Sequence, residues 1–193
     1  MKKHIFYALL ALPLIIVSCS KNEDDTPEPV NEEEVITTMT VTLIPKEGFD
    51  AGTIILQTKD LDGDGPNAPV ISVSGNLKNA VFYTGSVVFL NETESPAENI
   101  TEEVEEESDE HQFFVTPGGG IADIIGIEYL NNDSSGNILG TQFELNTLGA
   151  NEGTLTFTLR HEPNKPNSGL SDAGGETDFE ASLAVTCGDQ FIV

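Results

Sequence analysis

Apolar and polar side chains alternate with period two in several stretches after residue 34, which is the pattern of half-buried β-strands. Leu155, Phe157 and Leu159 alternate with threonines, and the alternation over 179–187 places Phe179 and Cys187 on one face. Further strands are predicted, with Gly-, Asn- and Asp-rich turns between them, at 35–43, 52–58, 81–90, 112–116, 121–129 and 138–145. About eight short strands with little helix predict an all-β fold, an antiparallel β-sandwich of immunoglobulin-like or jelly-roll type.

One short acidic helix interrupts this pattern. The tetrapeptide Ser-Pro-Ala-Glu at 95–98 has the residues of a capping box, with Pro in the first helical position. Ala97, Ile100 and Val104 then form an apolar stripe that we expect to pack on the sandwich. The other side of the helix carries a row of carboxylates, which we interpret as a surface for a cation or a basic partner: Glu102, Glu103, Glu106 and Glu110.

The N-terminus has the three parts of a bacterial export signal, with Lys2 and Lys3, an apolar run over 5–17, and the small residue Ser18 before Cys19. The run is shorter than the roughly 20 residues of a membrane-spanning helix, so we expect a cleaved signal. The tetrapeptide at 16–19, Ile-Val-Ser-Cys, resembles the lipobox of bacterial lipoproteins. We therefore predict a signal peptide at 1–18 and lipidation of Cys19. The alternative is an ordinary secretory signal with a chance cysteine.

The stretch that follows the predicted cleavage is rich in Asp, Glu, Pro and Asn, which indicates an extended, solvated tether at 19–34 before a domain at 35–193. Its first residues, Ser-Lys-Asn-Glu-Asp-Asp at 20–25, resemble the acidic tether of Bacteroidota-type lipoproteins. The resemblance implies a lipid anchor in the outer membrane with the domain facing the exterior. A domain facing the periplasm is the alternative.

Charge narrows the range of partners. Without the signal, the chain keeps 33 acidic residues against 6 basic ones, a net charge of −27. Such a surface repels nucleic acid and attracts cations or basic partners, so we exclude nucleic acid as a partner. Cys187 is the only cysteine besides Cys19, and its apolar strand face predicts a buried thiol without an intrachain disulfide.

An aspartate-rich loop is the first candidate metal site. Asp60, Asp62 and Asp64 alternate with other residues, and Gly65 follows them, as in the opening of a calcium loop. Ile71 stands where an EF-hand has its bidentate Glu, so the motif is incomplete. The loop is therefore interpreted as a calcium site or, alternatively, as an acidic hairpin loop.

Two histidines form the second candidate. His111 has the parity of Phe113 and Val115, and His161 has that of Leu155 to Leu159, so both are expected to point inward at strand ends. Glu107 and Glu110 lie near the first histidine. If the two strands are neighbours, His111, His161, Glu107 and Glu110 supply the donors of a zinc, copper or iron site. The alternative is two separate histidines, each hydrogen-bonded at a strand end.

Several stretches, at 61–70, 91–114, 159–165 and 173–178, resemble a set of small flavobacterial lipoproteins that are often labelled as having a type 1 periplasmic binding fold. The resemblance implies an association with TonB-dependent outer-membrane receptors; it implies no activity. The label denotes a two-lobed α/β structure, whereas the period-two alternation predicts strands almost throughout.

Motifs of common enzyme classes, such as His-Glu-x-x-His, Gly-x-Ser-x-Gly and the P-loop, do not occur in the sequence. We therefore predict a binding protein and not an enzyme. One hypothesis is an accessory or capture module for a TonB-dependent transporter, with calcium, a transition metal or a metal complex as its ligand. The other is an adhesive or structural sandwich without a ligand.

Overall fold

The computed structural model describes residues 34–63 and 65–188. The predicted signal peptide, Cys19 and most of the predicted tether therefore lie outside the described residues. The strands are β1 Thr38–Pro45, β2 Ile54–Lys59, β3 Val70–Val73, β4 Phe82–Leu90, β5 His111–Gly119, β6 Ile125–Tyr129, β7 Gln142–Thr147, β8 Asn151–His161 and β9 Glu176–Cys187. Two short helices complete the described part, α1 Ile100–Glu106 and α2 Leu170–Ala173.

The strands form two antiparallel sheets, which confirms the predicted all-β sandwich. One sheet has six strands in the order β3-β2-β1-β4-β7-β6, and the other has the order β5-β8-β9. Their inner faces meet in one apolar core, where Phe113 of the small sheet lies 5.7 Å from Phe89 and 6.3 Å from Phe143 of the large sheet, measured between ring centroids. Along the strands, every second side chain therefore points between the sheets, and the side chains in between point to the outer faces.

The predicted parities hold along β8 and at the end of β9. Leu155, Phe157 and Leu159 are fully buried, and Cys187 is buried with its thiol donating to the carbonyl of Gly149. Val35 is an exception, because 55% of it is exposed and β1 begins only at Thr38.

The prediction of the helix start was wrong. Helix α1 begins at Ile100, and Asn99 at its N-cap makes no side-chain capping bond. Glu98 cannot serve as the third helical residue, because its backbone N–H and C=O both pair with those of Asn91 in an isolated antiparallel bridge. Ala97 is therefore exposed in the loop, whereas Ile100 and Val104, the other two residues of the predicted stripe, are buried.

Strand β3 and helix α2 were not predicted. β3 lies at the edge of the large sheet, and three of its four residues are exposed, so it lacks the alternation of buried and exposed positions from which the other strands were predicted. Within the described residues, neither helix has the length and apolar character that crossing a bilayer requires.

Candidate metal centre

The two histidines of the described region lie side by side at one end of the small sheet. His111 begins β5 and His161 ends β8, and the two residues are direct partners in the antiparallel register. Direct partners point to the same face, and here that face is the core side, where Phe113 and Leu159 form the next inward pair. The rings are 4.7 Å apart between centroids, so the two histidines meet, a question that the sequence pattern left open.

A third residue, Asp178, joins them from β9. The register of β8 with β9 shifts after the pair Leu159 and Phe179, because Arg160 pairs with Thr177, so Asp178 is an extra residue in a β-bulge. A bulge turns a side chain away from the face that strict alternation gives it. The Asp178 side chain is consequently only 1% exposed and points towards the histidines.

The donor atoms of these three residues face one another. One carboxylate oxygen of Asp178, Oδ2, lies 3.6 Å from His111 Nε2 and 3.6 Å from His161 Nδ1. The distances are longer than a hydrogen bond. Within the described residues, no hydrogen-bond partner occurs for His111 Nε2 or for either ring nitrogen of His161.

The end of α1 fixes the protonation of His111. Its Nδ1 lies 3.2 Å from the backbone carbonyl of Glu107, the C-cap residue of the helix. A carbonyl can only accept, so Nδ1 carries the proton and the lone pair of a neutral ring is on Nε2, towards Asp178. Burial lowers the pKa of His111, although the bond to the Glu107 carbonyl acts in the opposite direction; the charge of His161 adds to the lowering. The neutral imidazole is the form that binds metals.

This arrangement has the spacing of a coordination shell. Two donors bound at about 2.1 Å to one tetrahedral ion are about 3.4 Å apart, close to the observed separations. Two imidazoles and one carboxylate are a donor set of zinc enzymes and of non-haem iron(II) proteins. The bond from His111 Nδ1 to a carbonyl is the outer contact that metal-bound histidines usually make. His111, His161 and Asp178 can therefore hold a divalent transition-metal ion.

Further carboxylates lie on two sides of this centre. Glu34 and Glu107 each place an oxygen within 4.8 Å of a ring nitrogen of His111, and Glu110 and Glu162 do the same at His161. Glu107 and Glu110 were predicted as ligands; both are exposed and belong to these outer groups. The buried carboxylate between the histidines is that of Asp178, which the sequence reasoning missed.

Glu34 and Glu103 bring two carboxyl groups into direct contact. Burial raises the pKa of Glu34 from 4.5 to about 7, and the hydrogen bond and the charge of Glu103 add to this effect, with smaller contributions from Asp178 and Glu107. Sequence analysis assigned Glu34 to the tether and Glu103 to the helix surface. The structure places both beside the histidine centre.

The remaining acidic residues of the predicted cation surface are dispersed. Glu102 accepts a bond from Asn99, and Glu106 is exposed at the last position of α1. Because the helix ends there, Glu110 is not one helical turn from Glu106 but lies beyond the helix, beside His161. The four carboxylates therefore do not form one helix face, and only Glu103 and Glu110 adjoin the histidine centre.

The aspartate-rich loop lies between β2 and β3, and its Asp60 lines one cavity together with Asp178. Asp62 accepts bonds from the backbone and side-chain amides of Asn67, and Asp60 accepts one from the backbone N–H of Asp62. These are contacts of an acidic loop that closes on itself. Asp64 lies outside the described residues, and calcium binding at Asp60, Asp62 and Asp64 stays a prediction.

A cavity of about 780 Å³ adjoins the centre at the open edge of the sandwich. Glu34, Ile36, Ile71, Asp178 and Phe179 line it, so its wall shares two carboxylates with the metal-ligand cluster.

The chain was compared with protein-family models, curated proteins and solved structures. No protein-family model, no curated protein and no solved structure matches the chain.

Proposed function

We propose that this protein is a lipid-anchored binding module of the outer membrane that captures a divalent transition-metal ion through His111, His161 and Asp178. The observation that carries the proposal is the convergence of three buried donors, with both histidines 3.6 Å from one oxygen of Asp178. Two imidazole nitrogens and a carboxylate oxygen that converge in a buried place are the donors that a transition-metal ion binds.

The burial of the ligands supports capture of a bare ion. Their side chains are 0%, 5% and 1% exposed for His111, His161 and Asp178, respectively. Imidazole and carboxylate donors suit zinc, iron and copper, so these are the proposed ions. The outer carboxylates and the net negative charge favour the approach of cations.

The proposed partner is a TonB-dependent outer-membrane transporter, which the module would serve as an accessory. This part of the proposal depends on the resemblance of the stretches at 61–70, 91–114, 159–165 and 173–178 to flavobacterial lipoproteins. The anchor depends on the lipobox-like pattern before Cys19, which lies outside the described residues. Exposed carboxylates such as Glu102 and Glu106 would favour a basic patch on the partner.

Metal analysis tests the central claim. The protein purified from its own host without chelator is expected to carry close to one equivalent of zinc, iron or copper, and the stripped protein to bind one Zn²⁺. His161→Ala should abolish this stoichiometric binding, whereas Asp123→Asn, at an exposed position distant in sequence, should not change it. Equal Zn²⁺ affinity in wild type and His161→Ala would refute the centre. Absence of saturable metal binding would favour the adhesive or structural alternative.

A further inference from the structure

The N-terminal end of the described chain is held beside the metal centre by acidic side chains. Glu34 is half-buried, its carboxyl is hydrogen-bonded to that of Glu103, and it lies within 4.8 Å of donor atoms of Glu107 and His111. These contacts join the segment before β1 to α1 and to the first residue of β5.

The backbone of this segment is otherwise loosely attached. Within the described residues, its first backbone hydrogen bonds to the domain occur at Thr37, whose N–H donates to Leu90 and whose carbonyl accepts from Asp60. Val35 is largely exposed, and Ile36 packs only partly against the core. The position of Glu34 therefore depends mainly on what its carboxylate contacts.

The charges around Glu34 repel one another. Its neighbours Glu103, Glu107 and Asp178 are all acidic, and within the described residues Glu34, Glu103 and Glu107 form no salt bridge. The lysines of the described part pair elsewhere, in Lys46–Glu144, Lys59–Glu92, Lys78–Asp50 and Lys165–Asp133. A cation bound between these carboxylates would attract each of them and would hold Glu34 against the domain.

We propose that a metal ion bound by His111, His161 and Asp178 takes Glu34 as an additional carboxylate ligand and so clasps the segment before β1 onto the domain. The inference rests on the proposed metal site and adds a conformational consequence to it. Three protein donors leave at least one position open on a zinc ion and more on iron(II), and a carboxylate oxygen is a suitable ligand for either.

The clasp couples metal occupancy to the chain that leads away from the domain. Residue 34 is continuous with the stretch that the sequence analysis assigns to the membrane tether. With the ion bound, attachment to the domain begins at Glu34; without it, the first backbone hydrogen bonds of the described chain occur at Thr37. Occupancy would thus change how far the domain reaches from its anchor and what its N-terminal edge exposes, including the neighbouring cavity that Glu34 lines.

Hydrogen exchange of the full chain, with Zn²⁺ alone or with chelator, tests this proposal. Zn²⁺ is expected to slow exchange of the amides at 34–37 in the wild type. In Glu34→Gln, Zn²⁺ should bind more weakly, by at least the roughly 10- to 100-fold that loss of a residue supporting a metal ligand costs, and should no longer protect these amides. Glu47→Gln, the same replacement at an exposed glutamate, is the control and should behave as the wild type.

The outcomes separate the clasp from the metal site. If wild type and Glu34→Gln bind Zn²⁺ equally and exchange at 34–37 does not respond to it, the clasp is refuted and the three-residue centre stands. If the wild type binds no Zn²⁺, both proposals fail. Far-ultraviolet circular dichroism in chelator establishes that Glu34→Gln is folded, and Glu34→Asp, which keeps the charge, should retain part of the protection.

Discussion

Oδ2 of Asp178 lies 3.6 Å from Nδ1 of His161, although the register partner of His161 on β9 is Glu176. The bulge between Thr177 and Phe179 makes this contact, because it adds one residue to β9 and turns the aspartate towards the core. A carboxylate is thus brought to the buried pair of histidines without disturbing the alternation of the rest of the strand.

Zinc should stabilise the folded protein through this contact. A ligand at a hundredfold excess over its Kd stabilises by about 2.7 kcal/mol, provided that it does not bind the unfolded chain. For a domain of this size, such a change corresponds to roughly 5–10 °C in Tm. Scanning calorimetry should detect this rise in the wild type and in Asp123→Asn, and most of it should be lost in Asp178→Asn. An undiminished zinc response in Asp178→Asn would mean that the aspartate is not a ligand.

Titration of Glu34 should contribute to the pH dependence of the free energy of unfolding. Its folded pKa of about 7 lies above the unfolded value of 4.5, so the folded state binds more protons through this group. Its contribution therefore favours the fold at low pH and is lost as pH rises from about 4.5 through about 7. Glu34→Gln removes this loss, so its free energy of unfolding in chelator should rise relative to the wild type between pH 5 and 8.

Urea unfolding at each pH provides the measurement. His111 acts in the opposite sense, because its lowered pKa removes stability as pH falls below about 6.5, and for this reason the difference between variant and wild type is the informative quantity. Glu106→Gln, at an exposed position, should show no such pH-dependent difference. If the free energy of unfolding of the wild type instead rises relative to that of Glu34→Gln as pH rises, the Glu34 carboxylate is already paired with a cation.

A buried lysine supports the backbone of the centre. Lys165 Nζ donates to the carbonyls of Ser108 and His111 at 2.7 and 2.5 Å and forms an ion pair with Asp133 at 3.2 Å. Both side chains of the pair are nearly inaccessible, at 6% and 1% exposed. Lys165→Met leaves the Asp133 charge buried without its partner and should cost about 3–5 kcal/mol in the free energy of unfolding.

The surface pair of Lys46 with Glu144 provides a control for this prediction. Lys46 is 44% exposed, so Lys46→Met should cost less than about 1 kcal/mol. Because Lys165 also binds the carbonyl of His111, its loss should weaken Zn²⁺ binding as well. Equal effects of the two substitutions on urea unfolding and on zinc affinity would contradict a specific role for Lys165.

Lipidation of Cys19 is testable independently of the metal. Cys19→Ala removes the thiol that the lipobox-like sequence predicts as the acylation site, so the variant should lack the lipid mass and should leave the membrane fraction or stay uncleaved. Intact mass measurement and membrane fractionation decide this. A mature, membrane-bound Cys19→Ala protein would refute the anchor.

Sequence pattern predicted the sandwich and the inward direction of both histidines, because side-chain parity follows directly from the geometry of a strand. It did not predict that β5 and β8 are neighbours, because strand order depends on contacts between segments 50 residues apart, such as His111 and His161. Asp178 was missed for a local reason. Phe179 follows it, so simple alternation gives the aspartate the solvent side, and nothing in the parity reveals the bulge. Its position at the end of the stretch at 173–178 carried only the resemblance to flavobacterial lipoproteins and gave it no role.

The helix illustrates the opposite error. Ser95, Pro96 and Glu98 are residues that favour a helix start. The backbone pairing of Glu98 with Asn91 forms instead and excludes Glu98 from the helix. A capping box is worth about 1 kcal/mol, which two backbone bonds and the burial of Ile100 and Val104 outweigh. Strand β3 escaped prediction because an exposed edge strand lacks the apolar alternation that marks the central ones.

The burial of the ligands has a kinetic consequence. An ion held by side chains that are at most 5% exposed can leave only when the ends of β5, β8 and β9 separate, so its exchange rate is that of local unfolding rather than of simple dissociation. The ion acquired as these strands come together is then retained. Metal identity would be decided by which ion is abundant where the chain folds, and only secondarily by the affinity order of the donors. If the signal peptide predicted at 1–18 directs export, that place is outside the cytoplasm.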